Sequence, residues 1–490
     1  MLSLAVACVL FSHTMRLHLD PPMNQWQARQ RTRQPPIIAT GHQAGLWHPG
    51  ILAKCIAAVE YAKAVGGEPL FVLVDHDDND AMRLELPVIE ADRLATHVVQ
   101  LGESLPGVAL VSQPKIDWNH AAKTLREARD QLGPRLRCDI EPIIGAADSM
   151  RAIEGTRADQ MTKFMQKLWQ PIIGSLPMVM ATNRIDHALV ERMLRDAARC
   201  VQCYNEAVRQ HPNTGIPLLN VERDRVELPL WYLGNPWGFR ADESASEILD
   251  WPRDAHGRQQ FVPRARQRVY ADLSDSAPLL VRDDGEPVPS ARRDGIVHHI
   301  GLAPRALSLT AMLRSTVCDL FIHGHGGGVY DRVMEAWWHA WIGQPLAPMA
   351  VVSADVNLDF PGVPLAQPQD LTRAIWYAHH LPHNLDRHLP REWVDVSLAA
   401  RKREILAQMN DDQDAKRRAA PFRELHRINQ TLGTQHAEVI RLADEQVAQV
   451  RTGVQNRRIA SKRDWAFPLY PPSSLDDLAA QIRAQITNSK

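Results

Sequence analysis

Cysteine, net charge and long apolar runs are all scarce in this chain, and each shortage removes a class of protein. Six cysteines in 490 residues (Cys8, Cys55, Cys138, Cys200, Cys203 and Cys318) are too few and too scattered for a disulfide framework, and they suit a reducing cytosol. Cys200 and Cys203 make a single CxxC inside a helical pattern; zinc needs further ligands, so the pair reads as structural. A formal net charge of -1 gives no footprint for nucleic acid or for an anionic membrane. The apolar stretch Leu2–Phe11 has no basic residue before it and no small-residue cleavage pattern after it, and it is too short to span a bilayer. Met1 and Met15 are both candidate starts, residues 1–14 being an upstream extension under the second, and the expected location is the cytoplasm.

What is present is ordinary in bulk and informative in detail. A hydrophobic content of 45% and a charged content of 23% suit a soluble globular protein, and the length exceeds what one core fills. Pro36–Gly50 (PIIATGHQAGLWHPG) reads as an apolar strand ending at Thr40, a turn on Gly41, and a lead through His42 and Gln43 into a helix that Pro49 opens. Ile51, Leu52, Cys55, Ile56, Val59 and Tyr61 recur at near-helical spacing, Gly66 and Gly67 end the run, and Leu70–Val74 makes a second apolar strand. That strand delivers Asp75, His76, Asp77 and Asp78 to the edge where open α/β sheets hold ligands.

Three constellations carry candidate chemistry. Gly41 and Gly45 would leave backbone N–H groups free for a phosphate, with His42 and Gln43 as hydrogen-bonding side chains; the spacing is neither GxGxxG nor Walker A, and a packing turn is the alternative. Asp75–Asp80 (DHDDND) offers five oxygen-bearing side chains and one imidazole. Mg²⁺ would take one or two of these carboxylates together with substrate phosphates, and a solvated acidic loop is the alternative. His323–Gly328 (HGHGGG) reads as a glycine turn after the strand Val317–Ile322, with Tyr330 and Asp331 beginning the next helix. Such a turn wraps an anion through backbone donors, His323 or His325 adding one more, or it is simply a tight turn. Arg305 and Arg314 flank the helix feeding that strand and suit phosphate or carboxylate recognition or a structural ion pair. Trp337, Trp338 and Trp341 read as core or interface packing, and His379, His380, His383 and His388 as a surface or interface patch.

Along the chain, residues 1–30 read as an N-terminal extension, 31–210 and 301–390 as two parts of one core, 211–300 as an inserted strand-and-loop module, 391–460 as a helical arm and 461–490 as a segment packing back on the core. Within these, Ile140–Ile144 reads as an apolar strand or loop, and Asp186 as the cap of one long helix over 187–210. Leu425, Leu432 and Val439 lie seven apart, which supports a helical hairpin or coiled-coil arm and a homodimer formed through it.

At these same positions the chain resembles the bacillithiol-biosynthesis cysteine-adding enzyme (BshC) family. The family pattern of a strand, TGQQ-x-GL-x-GGP, a helix bearing a Lys, a second strand and EDHDFEE is matched by Thr40–Leu46 (TGHQAGL), His48–Gly50 (HPG), Lys54 and Val74–Asp80 (VDHDDND). Its later GGPGE-x-AY turn, after an Arg-Pro segment, is matched loosely by Pro304-Arg305 and His323–Tyr330 (HGHGGGVY). His42 stands where the family has the first Gln, Val74 replaces an acidic residue, and the second turn lacks Pro-Gly-Glu.

The resemblance implies an α/β fold, a Rossmann-like parallel sheet core with inserted connecting modules and a C-terminal helical coiled-coil arm. It also implies ligation of cysteine to a glucosamine-malate-like acceptor. Amide formation from a free carboxylate needs activation, so ATP with Mg²⁺ is the candidate cofactor, and the expected partners are small molecules and a second copy of the chain, with neither nucleic acid nor membrane. Under this expectation His42, His76 and Asp77 are catalytic, His76 serving as a base if it titrates near neutrality. Thr40, Gly41, Gln43, Gly45, Asp75, Arg305, His323, Gly324, Gly326, Gly327, Gly328 and Tyr330 bind substrate or nucleotide, and no resident metal site is assigned. The alternatives are a non-catalytic nucleotide or sugar-phosphate binding protein on the same scaffold, and a metal-dependent hydrolase using Asp75–Asp80 with His323 and His325.

Overall fold

Strands and helices alternate along the first part of the chain in a computed structural model that describes residues 15–29, 35–132, 138–234, 265–293, 296–411 and 415–487. The Leu2–Phe11 run with Cys8 and the middle of the inserted module lie outside the described residues. In order come β1 (Arg16–Asp20), β2 (Ile37–Gln43), α1 (Pro49–Val65), β3 (Glu68–Val74), the hairpin β4 (Arg83–Glu90) and β5 (Arg93–Gln100), α2 (Trp118–Gln131), α3 (Glu141–Ser149), α4 (Arg157–Ile173), β6 (Met178–Met180), α5 (His187–Arg195) and α6 (Ala197–Gln210). Then follow β7 (Arg225–Tyr232), β8 (Gln267–Asp272), β9 (Leu279–Arg282), β10 (Ser290–Arg293), β11 (Ile296–His299), β12 (Leu302–Pro304), α7 (Ala306–Met312), β13 (Leu320–His323), α8 (His325–Trp341) and β14 (Met349–Asp355). The rest is helical: α9 (Pro368–His380), α10 (Leu385–His388), α11 (Val396–Asp411), α12 (Ala415–Gln435), α13 (Ala437–Ala460) and α14 (Pro472–Thr487).

The protein is mixed α/β around a six-stranded sheet of order β1-β14-β13-β2-β3-β6. Only the edge strand β1 runs antiparallel, and the other five are parallel. Residues 16–20, inside the span read as an extension, are therefore part of this sheet.

Alternation along each strand sorts the two faces. Ile38, Phe71, Leu73, Ile322, Ala350 and Val352 join α1 and α4 in one core, whereas Ala39, Val72 and Phe321 join Leu309 and Leu313 in another. Each fully buried large side chain contributes about 2 kcal/mol. α8 lies on the second face, where Gly328 meets Val351; a Cβ at that glycine would stand 2.4 Å from Val351 Cγ2.

Parallel strands need crossovers, and the two that matter diverge. β2 passes through α1 to β3 on one side, and β13 passes through α8 to β14 on the other. Crossovers of one hand that leave in opposite directions put their helices on opposite faces and open a crevice between the two starting strands. That switch point falls between β2 and β13, where Thr40 Oγ1 donates to Ile322 O at 2.8 Å.

Several expectations change. Ile140–Ile144 is neither strand nor loop: a short apolar run is ambiguous by period alone, and here it lies in or borders α3, with Pro142 in its first turn. The helix over 187–210 is two helices. Asp186 caps α5 by accepting from Leu189 N at 3.0 Å, and the chain breaks at Asp196, whose carboxylate accepts from Trp341 Nε1 at 2.8 Å. Cys200 is buried on α6, its thiol pushed well up by that burial. Trp337 and Trp341 stack, with ring centroids 5.6 Å apart, in the core α8 shares with α6.

In the last part, Ile428 and Leu432 pack on Leu381, Leu385 and Ile405 of the same chain. Asn456 of α13 meanwhile ties to Asp92 O, Leu94 N and Pro364 O. Trp465, Phe467, Leu469 and Tyr470 are buried in the core that contains α1. Among the described residues no helix is long and apolar enough to cross a membrane.

Candidate functional site

β2 does not end at Thr40. It keeps its register with β3 through Gly41↔Val72, His42↔Leu73 and Gln43↔Val74, so Gly41 is a strand residue rather than a turn. Glycine is required there for closeness, because a Cβ would stand 2.6 Å from Val72 O. The turn comes later, over 44–48, with Gly45 at φ 155° in open space. His48 closes it by capping α1, its Nδ1 accepting from Gly50 N at 3.0 Å, with Pro49 in the first helical turn as its fixed φ favours. Asn79 Nδ2 donates to Ala44 O at 2.7 Å, joining the loops after β2 and β3.

The acidic segment after β3 is already occupied. Asp75 is fully buried; it accepts from Thr182 N at 3.0 Å and from the Thr182 hydroxyl, while burial pushes its carboxyl up to about 6. Asp77 accepts from Gln43 Nε2 at 3.0 Å and from Arg266 at 2.9 Å, and Arg266 also pairs with Asp78 at 2.6 Å. These partners fit a structural clasp that ties β3 to β2, to Thr182 after β6 and to the residue just before β8, and they leave neither carboxylate free for substrate or metal. Among the described residues no three His, Cys, Asp or Glu side chains form a metal-binding group. His76 is 3% exposed, with burial holding its ring down at about 4, and burial and Lys54 hold His42 at about 3. Both rings are neutral at neutral pH, so His76 does not titrate where a base would.

The glycine segment after β13 is also not a turn. Gly324 is the N-cap of α8, in extended conformation, and His325 through Gly328 are its first helical residues. Among the described residues no side chain caps that end, so its first N–H groups have no capping partner there. His325 and Gly326 are exposed, and Gly326 has open space where a Cβ would stand. His323 is 8% exposed, its Nε2 lying 3.3 Å from the Asp331 carboxylate, which also meets Arg314. Arg305 pairs with Glu227 at 2.7 Å and lies 4.0 Å over the Trp231 ring, so the ion-pair alternative holds for it. Tyr330 is 44% exposed on α8.

The first and third segments meet at the switch point. Ile322 pairs with Thr40, and continuing that register sets His323 beside Gly41. Ile51 Cδ1 on α1 is 4.0 Å from where a Gly324 Cβ would be. The Asp75–Asp77 segment lies one strand further on.

Two site cations stand outside the residues expected to be catalytic or binding, Lys54 having entered only as the helix lysine of the family resemblance. Lys54 is buried, and its ammonium donates to Gly41 O; the signal was present, since it is the lone charge in Pro49–Val59. Arg266 has no local signal, because Asp77 and Asp78 are distant in sequence. No family model matches the chain, and no curated protein does.

Proposed function

We propose that the sheet is a Rossmann-like core whose carboxyl edge joins cysteine to the amino group of an amino-sugar malate, forming an amide. The supporting observation is the meeting of the Thr40–Gln43 and His323–Gly328 segments at one switch point, with Asp75–Asp77 one strand away. ATP, when bound, would supply activation of the cysteine carboxylate as a phosphate or an adenylate. The chain fits the anionic part of such a group, through the uncapped first turn of α8. It does not fit the Mg²⁺ role given to Asp75 and Asp77, whose oxygens are held by Thr182, Gln43 and Arg266. Gln43, steadied by Asp77, orients the substrate, and the neutral rings of His42 and His76 serve as hydrogen-bonding groups.

A second reading, a non-catalytic nucleotide or sugar-phosphate binder, is favoured by one observation: both imidazoles lie too low to accept a proton at neutral pH. The hydrolase alternative lacks a metal-binding cluster among the described residues. A coiled-coil arm that dimerises belongs to the same proposal, supported by the exposed Phe422 and Leu442 of α12 and α13.

Incubation with cysteine, the amino-sugar malate and ATP tests the reading by mass spectrometry. A ligase yields the amide, losing one water equivalent, and His42→Ala and Asp77→Asn reduce its formation. Ligand-induced thermal shifts without product support the binder, and unchanged activity in both variants refutes the site.

A further inference from the structure

Lys54 is 3% exposed, yet its ammonium meets one acceptor, Gly41 O. An ammonium has three donors and carries a charge that is costly to bury without a partner. Among the described residues no carboxylate pairs with it, and the neighbouring Cys55 thiol, pushed up to about 12 by burial, brings no negative charge at neutral pH.

The carbonyl it holds fixes its place. In a parallel strand the C=O groups of alternate residues face the same neighbour. Ile37 O accepts from Asp319 N on the β13 side, so Gly41 O also faces that side, just beyond the last pair, Ile322↔Thr40. Lys54 therefore reaches the crevice where β13 hands over to Gly324 and α8. Ile51, one turn before Lys54 on the same helical face, is the α1 residue nearest Gly324. A buried ammonium and a helix start that no side chain caps, both electropositive, thus stand on the two neighbouring strand-to-helix connections of the switch point.

We infer that this crevice is an anion subsite, taking a carboxylate or phosphate group whose oxygens meet the Lys54 ammonium and the first-turn N–H groups of α8. The assignment rests on reading this edge as the ligand site, and it names the missing counter-ion. Lys54 is then a binding residue for the charged group that anchors a substrate.

Calorimetric titration of the full chain with inorganic phosphate and with L-malate tests it. The wild type binds at least one of them, and Lys54→Met weakens that binding about tenfold or more, as loss of a charge-assisted hydrogen bond requires. The tighter of the two anions identifies the source. Equal binding by wild type and variant, or no binding of either anion by the wild type at about 10 mM, overturns the inference.

Should Lys54→Met fail to fold, proton uptake by the wild type serves instead. Burial holds the Lys54 ammonium down at about 8, so at pH 8 an arriving anion restores up to about half a proton, read from binding heats in two buffers of different ionisation enthalpy. His42 and His48 are kept neutral there by burial, and the Cys55 thiol is pushed up to about 12. His323 and His325 on the facing unit are removed from the count by a His323→Asn/His325→Asn double variant. Zero uptake overturns the inference. A wild type that binds these anions but makes no amide refutes the ligase and leaves the subsite standing; amide synthesis that ignores Lys54 refutes the subsite alone.

Discussion

Arg314 and Lys54 are buried cations of the two strand-and-helix units that meet at the crevice, 2% and 3% exposed, and their surroundings differ in kind. Arg314 gives its Nε to Ala347 O at 2.7 Å and its terminal nitrogens to Asp331 and to Glu335, the latter at 2.6 Å. Lys54 gives one hydrogen bond to a carbonyl. A guanidinium with every arm met ties the turn after α7 to α8 and to Ala347 ahead of β14. An ammonium with its charge unmet costs stability in the free protein, a cost that the proposed anion would offset.

The sharpest way to break this contrast is to neutralise each cation in turn. Arg314→Met strands the Asp331 carboxylate in the core and should lower the unfolding free energy by about 3–5 kcal/mol, read by urea denaturation; a loss under about 1 kcal/mol would mean that the cluster is not structural. Lys54→Met should act in the opposite direction. Its ammonium is held at about 8 against a usual 10.5, which at 1.36 kcal/mol per unit corresponds to a gain of about 2–3 kcal/mol at pH 7, allowing for the lost bond to Gly41 O.

Smaller effects sharpen the backbone side of the comparison. Gly41→Ala and Gly328→Ala drive a Cβ to 2.6 Å from Val72 O and 2.4 Å from Val351 Cγ2, and each should cost about 1–3 kcal/mol. Gly326→Ala enters open space and should stay within about 1 kcal/mol of wild type while raising helix propensity. Thermal melts of the three variants separate glycines needed for close approach from one that leaves a helix start open.

The β2, α1 and β3 unit was legible because an apolar run, an N-terminal proline and a glycine stop all agree locally. Its extent was not, since Gly41, His42 and Gln43 are strand only by virtue of their pairing with Val72, Leu73 and Val74. HGHGGG reads as a turn because glycine is a poor helix former; packing of Gly328 on Val351 outweighs that preference. The break at Asp196 is likewise set from outside, by Trp341. In the candidate site, the edge and its three segments could be read from strand and turn patterns. That Asp75 and Asp77 are occupied could not, because Thr182 and Arg266 come from distant parts of the chain. Lys54 was visible as a charge within an apolar helix, but only its depth and its lack of a counter-ion give it meaning.

The most direct test of that meaning is the pH dependence of the stability gap between Lys54→Met and wild type in urea. The folded ammonium titrates at about 8, below its usual 10.5, so the folded state releases its proton first, and the penalty is complete below pH 8 and relieved as pH rises toward 10.5. The account predicts a gap in favour of the variant of about 2–3 kcal/mol at pH 7 that shrinks to near zero or reverses by pH 10.5. A gap that is absent at pH 7, or constant across this range, would contradict a buried cation kept without a counter-ion.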